Sequence, residues 1–241
     1  VSAALLARQV DPFGRAPRTR PDLGAYVAVL RDARARGLIW YQLAWGAAVA
    51  PGAAFFSLHV LGSLRAGFLV LAGHAIVVAL VRVFAAPLWG RAVDRWGSRP
   101  VLVISSVGIS FMPALWVLTT PDRLWPLAID AVVAGVMWGG HAVASFDLPL
   151  GIAPAPKRSY YLALFAMASG VGFTIATFLS GWAADALTIA AHGDLRPLFV
   201  VSALGRAACA LIAVRVHDPG AVGVRAMLGG LRRAAMARGS G

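Results

Sequence analysis

Six apolar stretches, each long enough to cross a bilayer and each parted from the next by a short turn that carries a basic residue, leave this chain very few possible folds. A hydrocarbon core of about 30 Å takes roughly twenty residues of helix, and Leu38 to Leu61, Phe68 to Trp89, Pro100 to Leu118, Leu124 to Leu150, Tyr160 to Ala184 and Pro197 to Val214 are all near that length. Inside lipid every backbone amide must find its partner within the segment or in a closed barrel, so runs of this length predict helices. With 59% hydrophobic and 13% charged residues, the chain is too apolar for a soluble domain. The expectation is an all-α integral membrane protein: a six-helix bundle over residues 38–215, preceded by a linker at 1–37 and followed by a basic tail at 216–241. Val1 to Ala7 reads as the tail of an earlier helix. Tyr26, Val27, Val29 and Leu30, followed by Arg31, Arg34 and Arg36, predict a short helix lying at the interface.

The formal charge of +12 raises the question of nucleic acid, but the arginines are spread over turns and ends, not gathered on one basic face. Counted by side, 17 of the 22 Lys and Arg fall on the side of the linker, the second turn, the Lys157 turn and the tail, against Arg65, Arg123 and Arg196 on the other. By the positive-inside rule the heavier side, with both termini, is cytoplasmic, as in a prokaryotic plasma membrane. The single cysteine, Cys209, excludes an internal disulfide or a cysteine metal cluster. His59, His74, His141, His192 and His217 show no i, i+4 pairing, and neither a Walker loop nor a nucleophile elbow is present. Neither enzymatic chemistry, nor a metal, nor a cofactor is expected.

Between the second and third spans lies Gly90-Arg91-Ala92-Val93-Asp94-Arg95-Trp96-Gly97-Ser98-Arg99. Glycines at both ends permit a tight reversal, Asp94 is suited to accept from free amides at a helix start, and the arginines are suited to anionic headgroups. The pattern G-x-x-x-D-R-x-G-x-R, matched at Gly90, Asp94, Arg95, Gly97 and Arg99, resembles the gating-loop signature of the major facilitator superfamily. That family usually has a second basic residue where this chain has Ser98, and a small one where it has Val93. The resemblance implies the C-terminal six-helix half of a transporter that moves a small solute by alternating access, driven by a proton or sodium gradient. It further implies that Asp94 touches a helix start in the other half. The first and fourth spans would line the cavity, the second and fifth would face the other half, and the third and sixth would be peripheral. Gly181-x-x-x-Asp185 echoes Gly90-x-x-x-Asp94, so two triplets of helices would form a 3+3 inverted repeat. The glycine and proline run of antiporter members is missing from the fifth span.

Polar residues inside the spans are the candidate substrate and coupling groups, because an unpaired charge in the core costs about 2.5 kcal/mol or more. Gln42 and Trp45 share a face with Val49 and Gly52, either lining a cavity or packing; Trp40 and Tyr41 read as interface anchors. His74 and Arg82 lie in the second span; Asp130, His141 and Asp147 lie in the fourth. Counted at 1.5 Å per residue, His74 and Asp130 sit at one depth and Arg82 and Asp147 within a turn of another, which makes two pairs. Gly135 and Gly139, and the stripe Gly170, Thr174, Thr177 and Gly181, suit close helix contact. Arg206 needs a neighbouring carbonyl or acid. The expected partners are the bilayer, a small solute, and either an N-terminal half or a second copy. A non-transporting membrane sensor or assembly protein on the same scaffold is the other reading.

Overall fold

The computed structural model describes residues 22–190, 194–218 and 220–230, of which 185–190 by backbone alone. The Val1 to Ala7 run, Pro12, Pro17, Pro21, His192, the side chain of Asp185, and Arg232, Arg233 and Arg238 lie outside the described residues. The elements are α1 (Leu23–Arg31), α2 (Ala33–Leu58, continued by a π-helical turn His59–Ser63), α3 (Gly67–Trp96), α4 (Ser98–Ser110), α5 (Met112–Leu118), α6 (Trp125–Ile152), α7 (Arg158–Ala190) and α8 (Arg196–Ala213). No β-strand occurs among the described residues, and six helical segments are long and apolar enough to span a membrane. The third of these joins α4 and α5.

Local chemistry sets the boundaries. Asp22 caps α1 by accepting from Gly24 N at 2.8 Å, and Asp32 closes α1 and caps α2 by accepting from Arg34 N at 2.9 Å. Pro126 and Pro197 sit in the first turns of α6 and α8, where a missing amide costs nothing. Pro51 stays inside a continuous α2. The signature is not the loop that its glycines suggested: Gly90 to Trp96 are the last two turns of α3, and the whole reversal is made at Gly97, with φ 86° and ψ 167°. Only glycine enters that region of backbone space without strain.

Packing has an internal symmetry. The most extensive contacts are α2 with α7 and α3 with α6; next come α2 with α8 and α4 with α6, then α4 with α8. Exchanging first with fourth, second with fifth and third with sixth span maps this set onto itself, as an inverted 3+3 repeat requires. Small residues let the backbones approach at both major crossings. A Cβ on Gly46 would collide with Ser169 O and one on Gly172 with Leu43 O, while one on Gly135 would lie 2.6 Å from Val81 Cβ.

Two expectations about faces change. Gly170 and Gly181 have open space beside them, and Gly170 and Thr174 border an exposed groove; the packed face of α7 is instead that of Ser169 and Gly172. The uncharged third span is the most buried of the six, with Val101, Leu102, Ser105, Ser106 and Ile109 inside, and only a stripe at Val107, Phe111, Ala114 and Leu118 outside. The second span is the most exposed.

Residues after α8 fold back onto the reversal. Asp218 accepts from Arg99 N at 2.8 Å, Val222 N donates to Trp96 O at 3.0 Å, Ala221 sits against Gly97, and Met227 is fully buried. At the same end of the bundle Tyr161 Oη donates to Asp32 at 2.6 Å and Tyr26 meets Tyr160 edge to face, which docks α1 on the start of α7.

Candidate functional site

Two polar constellations are built into the bundle. The first surrounds a cavity of about 300 Å³ between α2, α6 and α7, lined by Gln42, Trp45, Val49, Trp138, His141 and Ser169 among others. The i, i+3 spacing of Gln42 and Trp45 on α2, and of Trp138 and His141 on α6, turns both pairs toward this space. The Trp45 and His141 rings stack at 4.6 Å with planes 17° apart, and Trp138 closes edge-on to both, at 6.0 Å from Trp45 and 5.6 Å from His141. Gly52, which shares their helical face in sequence, meets Arg206, Ser202 and Trp116 instead.

A hydrogen-bonded chain orients His141. Ser106 Oγ donates to Leu102 O at 2.6 Å, so at its 2.8 Å contact with Tyr41 it accepts and the phenol donates. The phenol oxygen, 2.9 Å from His141 Nε2, then accepts, which assigns the ring proton to Nε2. Nδ1 is left as an acceptor whose protein partner, Ser145 Oγ, is 3.4 Å away. Tyr41 is therefore no interface anchor: it is fully buried, while Trp40 beside it is 63% exposed. Tyr41, Ser106, Trp138 and Ser145 are uncharged residues on hydrophobic helices, so a search for charges in lipid passes over them. The i, i+3 and i, i+4 run Trp138, His141, Ser145 was the signal available.

The second constellation sits toward the other end. His74 Nε2 lies 2.8 Å from Asp130 Oδ2, Asp130 is fully buried, and its Oδ1 has no hydrogen-bond partner among the described residues. Arg206, 1% exposed, is near enough for its charge to attract Asp130. It also donates to Ile109 O at 3.5 Å and Val49 O at 3.4 Å and lies 5.6 Å over the Trp116 ring. The carboxylate is thus hydrogen-bonded to an imidazole and lies within reach of a buried guanidinium's charge. The Phe56 ring packs on that of His74 at 5.0 Å.

The other proposed pair is not formed. Asp147 accepts from Ser98 Oγ at 2.5 Å, because α6 ends against the start of α4, while Arg82, exposed overall, runs along α6 past Gly139 and near His141. In the signature, Asp94 is exposed with no hydrogen bond among the described residues, so it caps no helix of this bundle; Arg95 lies 5.0 Å over the Trp96 ring. No cluster of three metal-ligating side chains occurs among the described residues.

A membrane-embedded helical bundle with inverted-repeat packing, a polar aromatic cavity between its first, fourth and fifth spans, and a signature at the α3–α4 reversal defines a class of membrane transporter bundles. The Major Facilitator Superfamily model matches residues 74–232, and the chain belongs to that family. It is 32% identical over 114 residues to the class H tetracycline resistance protein of Pasteurella multocida, covering 47% of this chain and 27% of that protein. Against the multidrug resistance protein MdtG of Dickeya zeae (strain Ech586) it is 26% identical over 180 residues, covering 70% and 42%. Mouse major facilitator superfamily domain-containing protein 10 aligns at 28% over 104 residues, covering 43% and 22%. The matches span less than half the length of each of these relatives. No solved structure gives a significant match.

Proposed function

We propose that this six-helix unit is half of a secondary active transporter that carries a small, planar, aromatic solute by alternating access. The observation that carries the reading is the cavity of Gln42, Trp45, Trp138 and His141, whose walls come from both triplets of the inverted repeat. Rocking of either triplet would change its access. The stacked Trp45 and His141 and the edge-on Trp138 suit a flat ring, and Gln42 and the weakly engaged His141 Nδ1 supply its hydrogen bonds. Relatives named for tetracycline and multidrug resistance agree with a solute of that kind. A second bundle, the N-terminal half, would face the exposed sides of α3 and α7 and complete the path, with Asp94 reaching one of its helix starts. The signature end lies in the cytoplasm, where most of the basic residues gather.

Reconstitution of the full-length carrier in proteoliposomes tests this. Under an imposed proton gradient, a fluorescent planar amphiphile should accumulate. Trp138→Ala should lower its apparent affinity roughly tenfold, the value of one aromatic contact, and His141→Leu should do at least as much. Absence of gradient-driven flux, or unchanged affinity in both variants, would refute the assignment.

A further inference from the structure

On the far side of α6 from the solute cavity there is a trough of about 470 Å³, floored by Leu88, Trp89 and Trp96 of α3, edged by Val136 and closed at one end by Met227 of the returning arm. Val136 and Trp138 are two residues apart, hence about 200° apart around the helix. Since Trp138 is in the cavity, the trough lies on the opposite side of α6, away from the solute cavity. Trp89 is held there by its Nε1 donating to Val136 O at 2.7 Å and by Gly140, which leaves room for the indole. The position of the trough beside Gly97 puts it at the level where the helices leave the bilayer.

The side chains of Arg91 and Arg95 line this trough. Both are exposed, neither has a hydrogen bond or ion pair among the described residues, and Asp94 between them is paired to neither. An apolar channel with two guanidiniums free of ion pairs at its polar mouth, one of them over the Trp96 ring, is complementary to one kind of molecule. We propose that the trough binds an anionic glycerophospholipid, with an acyl chain against Leu88, Trp89 and Met227 and the phosphate between Arg91 and Arg95. A guanidinium meets a phosphate through two parallel hydrogen bonds, and the channel excludes water from the chain beneath. Because Met227 forms one wall, an occupied trough also holds the arm against the Gly97 reversal.

The test is native mass spectrometry of the full chain released from detergent, with phosphatidylglycerol as the probe and phosphatidylethanolamine as the neutral competitor. Retained phosphatidylglycerol should exceed phosphatidylethanolamine, and R91Q/R95Q should weaken its retention about thirtyfold, from the usual contribution of each basic residue at an anionic surface. Leu88→Trp, which fills the channel without touching charge, should weaken both lipids. The variants change exposed positions, and unaltered helical circular dichroism will confirm that they fold. An equal loss in K157Q/R158Q, basic residues at the same end but outside the trough, would show diffuse attraction and overturn the site. So would equal retention of the two lipids by the unmodified chain. Neither result depends on whether the chain transports a solute.

Discussion

At the scale of single residues, buried charge outweighs every other contribution inside the membrane. Asp130 is satisfied on one oxygen by His74 and balanced by Arg206, whose own hydrogen bonds to carbonyls are long. Removing one member strands the other without water. Asp130→Ala should therefore destabilise the bundle by about 3 kcal/mol or more, read as a lowered midpoint of thermal unfolding in detergent. D130A/R206M should recover part of that loss, since no unpaired cation then remains. Outside the bilayer the decisive acid is Asp32: the Tyr161 hydroxyl, foremost, together with the Arg34 amide, holds its carboxyl below the ordinary 3.8. A carboxyl depressed by folding contributes stability above its unfolded value and loses it as the pH falls through the folded one. Thermal stability should thus decline below about pH 3.8, and Asp32→Asn should flatten that part of the profile.

At the scale of helices, association in lipid rests on close packing, because apolar surface gains little by leaving lipid for protein. The α2–α7 crossing is the tightest in the bundle, with Gly46 and Gly172 each admitting the other helix's backbone. Gly46→Leu should abolish it, leaving little monodisperse protein on size-exclusion chromatography. Gly170→Leu, with open space beside it, should elute like the parent. Sequence spacing nominated Gly170 and Gly181 for contact and passed over Gly172, since several small residues share α7 and periodicity alone does not say which face meets a neighbour. The same ambiguity hid the burial of the third span: a helix without charge is equally fit for lipid and for the core.

At the scale of the whole molecule, α3 and α7 leave the largest apolar faces uncovered, with Val83 67% and Phe178 77% exposed. The symmetry of the bundle places these helices as equivalents, and on the half-transporter proposal both face a second bundle. Cysteines introduced at Val83 and Phe178 should crosslink to that bundle in membranes and resist bulky maleimides. Ready labelling of both would show that these faces meet lipid instead. The returning arm is a second feature of this scale: its bonds to Trp96 and Arg99 join segments more than a hundred residues apart, and nothing local in a basic tail announces them.

Span number, helix identity and the rough depth of every polar group follow from the sequence alone, because lipid forces backbone bonds to close locally and 1.5 Å per residue is a fixed ruler. That ruler brought His74 level with Asp130, which the structure finds in contact. It also brought Arg82 near Asp147, yet Arg82 lies beside Gly139 and Ser98 takes the carboxylate. Depth is a one-dimensional quantity; which side of a helix faces which neighbour is settled by where glycines let backbones meet. Only the folded bundle therefore decided that Gln42, Trp45, Trp138 and His141 enclose one cavity, with Tyr41 behind His141.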